Sequence, residues 1–148
     1  MSDKTITLLG AWDIEQLVCY FSLVVLFDFM IRFASSFLKA LEIWGRKSKS
    51  NFWEMCWTAF KGVGFDKKKE MYADYWQPFV LGFLELTAFP VLMATGHWSY
   101  VGAWLGFKTL AQATRWKDDR GVFSRFLIGN GLVILASYYL ASLVRLVP

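Results

Sequence analysis

Residues 14–37 have the sequence IEQLVCYFSLVVLFDFMIRFASSF, a stretch too long and too apolar for a strand of a soluble domain. Its uncharged part, residues 16–27, is rich in Leu, Val and Phe. A helix needs about 20 mostly apolar residues to cross a bilayer. The stretch therefore predicts a membrane-spanning helix, and the spacing of Asp13 and Gln16 fits a capping box at its start.

The rest of the chain has the same apolar character. Of its 148 residues, 56% are hydrophobic and 19% are aromatic, whereas roughly 45–50% of residues are apolar in soluble domains. Further apolar stretches at about 75–95, 99–114 and 123–147 bring the predicted spans to four, although the third must tolerate Lys108. The sequence predicts an all-α integral membrane protein, with four transmembrane helices bundled into one domain over residues 1–148.

A shorter helix is predicted over residues 51–64, between the first two spans. Its apolar residues recur at helical spacing, and Trp53 and Trp57 lie at the boundary between the apolar and polar faces. The aromatic residues and the basic flanks favour an amphipathic helix in the membrane surface. The alternative is a loop helix that packs against the bundle. Nearby basic residues indicate contact with anionic lipid head groups: Lys67, Lys68 and Lys69.

The charge distribution predicts the orientation of the spans. Most basic residues fall in segments 38–74 and 115–125, between apolar stretches, and the positive-inside rule assigns such segments to the cytoplasm. Both termini are then expected outside a cytoplasmic (inner) membrane. The first residues lack the pattern of a cleaved signal peptide, so we expect the first span to be retained. The net charge of +4 is accounted for by topology and does not indicate nucleic-acid binding.

Chemistry-bearing motifs are sparse. The chain has two cysteines and one histidine, so metal and haem sites lack their usual ligand sets. It contains no nucleophile elbow and no phosphate-binding glycine loop. We therefore expect no cofactor, no metal and no enzymatic activity, and we expect the two cysteines, Cys19 and Cys56, to lie on opposite sides of the membrane.

Charged residues inside the predicted spans are the strongest candidates for a functional site. Counting residues from the turn between the second and third spans places Glu85 and Lys108 at the same depth. Asp28 and Asn130 come out near that level, so one polar layer could contain all four. Intramembrane charges usually face the bundle interior and pair, which predicts the ion pairs Glu85–Lys108 and Asp28–Arg32.

Three interpretations of this layer remain open. The pairs could serve helix register alone, a carboxylate could relay protons or bind a cation, or one charge could face a partner protein's span. Pro90 is expected to kink the second span and to free the Leu86 carbonyl, because proline lacks the N–H that would bond to it. A freed backbone acceptor beside Glu85 favours the second interpretation slightly.

Small residues predict close helix packing in two spans. Gly102 and Gly106 form a GxxxG pattern, and Gly129 and Gly131 flank Asn130. Packing inside the monomer is the favoured interpretation, and dimerisation through the GxxxG pattern is the alternative.

Two functions fit these features. The first is a non-catalytic subunit or interaction module of a membrane assembly, and the second is a homo-oligomeric small channel or proton/ion-coupled transporter that uses the polar layer. Four packed helices are expected to fill their own centre, so transport would need an oligomer. The sequence therefore favours the subunit role, with the bilayer and either a second copy or another membrane protein as partners.

Overall fold

The computed structural model describes residues 12–44, 51–61, 77–116 and 120–146, and these are helical apart from caps and one turn. The helices are α1 (Ile14–Trp44), α2 (Phe52–Phe60), α3 (Gln77–Ala94), α4 (Trp98–Trp116) and α5 (Arg120–Leu146). Three stretches in the described chain are long and apolar enough to cross a membrane: α1, α3 and the Phe123–Val144 part of α5. The protein is thus all-helical with candidate membrane spans, as predicted.

The predicted span at 99–114 forms a helix but is not among those three stretches. Its helix, α4, has 19 residues, which is sufficient length. Lys108, Thr109 and Gln112 lower its apolar character. Among its described side chains, those that are buried or half-buried are Val101, Leu105, Lys108, Gln112 and Ala113. Most of its described surface therefore faces outward.

Helix α1 is longer than its predicted span. The Gln16 side chain accepts a hydrogen bond from the Asp13 backbone N–H at 3.1 Å, which is one half of the predicted capping box. The helix then continues to Trp44, beyond the expected end near residue 37. Its 31 residues extend about 46 Å at 1.5 Å per residue, against about 30 Å for a hydrocarbon core. Its last turns therefore have room to project from a bilayer.

Helix α2 packs against those last turns. Met55 and Cys56 are buried on Ala40 of α1, and the Asn51 side chain caps the helix by accepting from the Trp53 N–H at 3.3 Å. This is the contact expected of a loop helix that packs against the bundle, and Trp57 lies exposed on the other face. Burial raises the pKa of the Cys56 thiol, which favours its protonated form. Residues 62–64 of the predicted helix and Lys67, Lys68 and Lys69 lie outside the described residues.

The apolar core fills the half of the bundle nearest the α3–α4 turn. That turn is a Schellman motif in which Gly96, at φ 81°, donates to the Met93 carbonyl and His97 donates to the Leu92 carbonyl. The core residues are Tyr20, Val24, Leu86, Phe89, Met93, Val101, Val133, Ala136, Leu140, Ala141 and Val144. A tight turn and a packed core together close this end of the bundle.

The carbonyl freed by Pro90 has a partner from another helix. Pro90 is buried inside α3, which continues as a helix past it. The Tyr20 hydroxyl of α1 lies 3.4 Å from the Leu86 carbonyl oxygen and donates to the Thr87 carbonyl oxygen at 2.9 Å. The single Tyr20 O–H is therefore shared between two backbone carbonyls of α3, with the shorter bond to Thr87, and the sequence did not predict this contact.

Replacing Tyr20 with phenylalanine is expected to lower the free energy of unfolding by about 1–2 kcal/mol, because it leaves buried carbonyl groups without their donor. The measurement is an SDS titration of the protein in mild-detergent micelles. Tyr138→Phe is the matched control, since Tyr138 is exposed. Equal stability of the two variants would show that the Tyr20 hydroxyl contributes nothing.

Candidate functional site

Glu85 is the centre of a hydrogen-bond network that joins three helices. Its side chain is buried in α3, and its Oε1 accepts from the Trp104 indole Nε1 at 2.8 Å. The Lys108 ammonium of α4 lies 2.7 Å from Oε1 and 2.9 Å from Oε2. The structure thus brings together the two residues that depth counting paired, and it adds Trp104, one helical turn before Lys108.

Lys108 extends this network to α5. Its Nζ also donates to the Asn130 Oδ1 at 2.8 Å. The Asn130 amide is oriented by its own Nδ2, which donates to the Phe126 carbonyl at 2.8 Å. An ammonium has three N–H donors, and three carboxylate or amide oxygens surround this one. Glu85, Lys108 and Asn130 therefore form a polar cluster whose hydrogen bonds are satisfied.

Asp28 lies beside this cluster but outside its hydrogen bonds. The residue is 4% exposed, and among the described residues its Oδ2 has no hydrogen-bond partner. Its Oδ1 lies so close to Gly82 that a Cβ at that position would overlap it. The absence of a side chain at Gly82 is what lets α3 approach the Asp28 carboxylate.

Arg32 does not supply the missing partner of Asp28 Oδ2. Its Nη2 donates to the Phe60 carbonyl of α2 at 3.3 Å. Its guanidinium carbon lies 5.4 Å from the Phe60 ring centroid and 6.0 Å from the Phe79 ring centroid. These contacts direct Arg32 toward α2 and the start of α3, so Oδ2 is not its acceptor, and the Asp28–Arg32 ion pair stays a prediction.

A partly open cavity of about 710 Å³ begins at the polar cluster. It extends toward the end of the bundle where α1 projects and α3 and α5 begin. In the described chain its wall carries two carboxylates and four basic side chains: Asp28, Glu85, Arg32, Lys39, Lys108 and Arg125. The centre of the bundle is thus not filled by side chains as expected, because short residues such as Gly82, Gly129 and Ser35 line it.

A second ion pair lies at the wide end of the cavity. Arg125 of α5 pairs with Glu42 of α1, and Gly121 lies directly against the Glu42 carboxylate. The sequence did not predict this pair. Glu42 falls beyond the predicted end of the first span, and Arg125 was assigned to topology alone.

The predicted glycine contacts are mostly absent from the described chain. Gly102, Gly106 and Gly131 have no atom within 4 Å of the position a Cβ would occupy. Gly129 has only the Ser35 hydroxyl there, at 3.9 Å. The GxxxG pattern therefore does not pack inside the monomer as expected, because α4 turns Gly102 and Gly106 outward.

These features define a class of protein: an all-helical bundle, over the described residues, with candidate membrane spans, a charged cavity between its helices and a buried ion pair at the inner end of the cavity. Among the described residues no group of three His, Cys, Asp or Glu side chains could hold a metal ion. No protein-family model matches the sequence, and no curated protein or solved structure matches it.

Proposed function

We propose that the protein is a homo-oligomeric, proton- or ion-coupled carrier of a small polar solute. The observation that carries this proposal is the cavity, which reaches the Glu85–Lys108 pair from one end of the bundle and is closed by the apolar core at the other. A binding cavity that is open to one side of the membrane characterises one state of an alternating-access carrier. The sequence favours a subunit role because four packed helices are expected to fill the centre of their bundle. Since a cavity lies between these helices, that argument no longer favours a subunit over a carrier.

The proposal includes α4 as a fourth span. Lys108 lies midway along α4 and turns inward onto α3 and α5, so the charge that lowers the hydropathy of the helix is kept from lipid. Exposed residues such as Phe107 and Leu110 suit a lipid environment. In this arrangement α2 lies at the cytoplasmic surface, and the basic segments on either side of it interact with anionic head groups.

Four spans place both chain ends on one side of the membrane, whereas three place them on opposite sides. We expect reporter tags at the two termini to respond identically to an impermeant label applied to intact cells, and both to be accessible outside. A single cysteine at Lys61, which is exposed next to α2, should be labelled only after lysis. Opposite accessibility of the two termini would exclude α4 as a span.

The oligomer is assigned to the outward face of α4. Gly102 and Gly106 leave this face open, and small residues at four-residue spacing let two helices approach closely in a bilayer. A second copy of the chain is the proposed occupant, because a symmetric dimer would place this face against the same face of its partner. Mass determination in mild detergent should give a dimer or larger homo-oligomer, and Gly106→Leu should shift it toward the monomer.

Transport is tested in liposomes that contain a trapped pH-sensitive dye. Proton entry is followed under an imposed gradient, first without solute and then with amino acids, carboxylates and phosphates added one class at a time. We expect one condition to give a flux that Glu85→Gln and Lys108→Met abolish and that Glu15→Gln, an exposed carboxylate on α1, retains. Proton flux equal to that of empty liposomes in every condition would contradict the proton-coupled carrier.

The open face of α4 also fits the second candidate function, a non-catalytic subunit of a membrane assembly. In that case another membrane protein, rather than a second copy, occupies the face around Gly102 and Gly106. A different membrane protein that co-purifies with the wild type and is lost with Gly106→Leu would favour the subunit over the carrier.

A further inference from the structure

Two buried carboxyl groups, those of Asp28 on α1 and Glu85 on α3, contribute to the described wall of the cavity. The Glu85 oxygens accept hydrogen bonds from the Trp104 indole and from the Lys108 ammonium. The Asp28 Oδ2 has no hydrogen-bond partner among the described residues. The two carboxyl groups therefore differ in what each would lose if a proton bound to it.

A proton on Glu85 would remove the charge that balances Lys108. The largely buried ammonium would then lack its counter-ion, and breaking a buried ion pair in this way is costly. A proton on the Asp28 Oδ2 displaces no described donor. Of the two carboxyl groups, Asp28 is thus the one that can change its charge while the Glu85–Lys108 pair stays intact.

The surroundings of Asp28 act on its charge in both directions. Burial disfavours the ionised carboxylate, the positive charge of Arg32 favours it, and the negative charge of Glu85 disfavours it. Neither charge state is therefore favoured by every neighbour. Helix α2 contributes only uncharged residues to the described wall, and the charged side chains that share this wall with Asp28 are Arg32, Lys39, Glu85, Lys108 and Arg125.

We propose that Asp28 is the proton-binding residue of the carrier, and that Glu85 and Lys108 keep their charges throughout transport. A hydronium ion that enters the cavity transfers one proton to the carboxylate, which becomes a neutral carboxylic acid, and a water molecule is left. Transfer of the proton back to water on the other side of the membrane restores the carboxylate. Intramembrane carboxyl groups have this role in other pumps and transporters. The proposal rests on the proposed function, because it names the coupling ion and the residue that carries it.

Gly82 gives the proton a route to the helix packing. Helix α3 lies against the Asp28 carboxylate with no side chain between them, since a Cβ at Gly82 would overlap Oδ1. An ionised carboxylate holds water more strongly than a neutral acid does. Proton uptake therefore favours a dry contact between α1 and α3, and proton release favours a hydrated one.

The test follows the proton directly, by infrared spectroscopy of the purified protein in lipid vesicles. A protonated carboxyl group has a C=O stretching band that an ionised one lacks. Exposed carboxyl groups stay ionised when the pH is lowered from mildly alkaline to mildly acidic. We expect the wild type to gain this band reversibly over that range. Aspartate with a heavy carbon isotope in its side-chain carboxyl group should shift the band, whereas glutamate labelled in the same way should not.

Asp28→Asn assigns the band to one residue, because asparagine has nearly the size of the neutral acid and cannot release a proton. The variant should lose the band, and its solute-dependent proton entry into liposomes should fall to that of empty liposomes. Glu15→Gln is the matched control at an exposed position of α1 and should keep both. Unfolding midpoints show whether each variant folds, and the isotope shift needs no variant.

A wild type without the band would overturn the proposal, as would a band that shifts with labelled glutamate. A folded Asp28→Asn variant that keeps the band or wild-type proton entry would overturn it too. The outcome is separable from that of the carrier test. The band without proton flux in any condition would leave the proton site and exclude the proton-coupled carrier. Coupled flux without the band would exclude the site and leave the carrier.

Discussion

Lys108→Met is expected to lower the free energy of unfolding by about 3–5 kcal/mol, the largest effect of any single substitution considered for this chain. Removing one partner of a buried ion pair leaves the other charge uncompensated, and that charge bears the full desolvation cost. The Glu85 side chain is 2% exposed and that of Lys108 is 15% exposed. Water therefore has little access to the carboxylate that the substitution leaves behind.

The measurement is a double-mutant cycle by SDS titration in mild-detergent micelles. Glu85→Gln alone should cost less than Lys108→Met, because glutamine still accepts from Trp104 and Lys108 still has Asn130. The double variant should cost at least about 1 kcal/mol less than the sum of the two single variants, since contacting residues couple by roughly 0.5–3 kcal/mol. Additive costs would mean that the two side chains do not interact in the folded protein.

Gly82→Ala is expected to lower the free energy of unfolding by about 1–3 kcal/mol, the range found when a well-packed site is overfilled. The added Cβ would overlap the Asp28 Oδ1 and lie 3.5 Å from its Cγ. The carboxylate is buried against Gly82, so the cavity is the space into which it can move. The methyl group must push α1 away from α3 or force the carboxylate further into the cavity.

Asp28→Ala in the Gly82→Ala background tests this cause. Removing the carboxylate creates the space that the methyl group needs, so the double variant should be more stable than the sum of the single effects indicates. Gly131→Ala is the control glycine, because its Cβ position has nothing within 4 Å, and it should cost no stability. A loss in the control equal to that at Gly82 would assign both effects to the helix backbone instead of Asp28.

The features that could be predicted from sequence depend on regular geometry. Helix periodicity and apolar length locate α1, α3 and α5, and the constant rise of a helix places Glu85 and Lys108 opposite each other. That estimate needs only the short turn between α3 and α4 as a reference. It succeeded because Gly96 makes the turn tight, so little chain length is lost between the two helices.

The features that could not be predicted depend on which way a helix face is turned. Proline chemistry predicts a free Leu86 carbonyl, but nothing in the local sequence shows that Tyr20 lies opposite it. The outward rotation of Gly102 and Gly106 follows from the inward direction of Lys108 on the same helix, and spacing alone leaves that choice open. The last turns of α1, up to Trp44, pack against α2, and nothing in the local sequence of α1 shows that α2 lies there.

A tilt of α3 relative to α4 would pivot at the Schellman turn around Gly96, because this turn joins the two helices. The turn lies at the closed end of the bundle. A tilt there would separate the opposite ends of α3 and α4, which lie at the cavity. Helix α3 has 18 residues and extends about 27 Å from the turn at 1.5 Å per residue. A tilt of about 10° at the turn would therefore move the far end of the helix by about 5 Å. The Glu85–Lys108 ion pair connects α3 and α4 between the turn and the far ends of the two helices. The strength of the pair would therefore limit how far the cavity can widen, and weakening the pair would open the mouth without any change in the residues around the mouth.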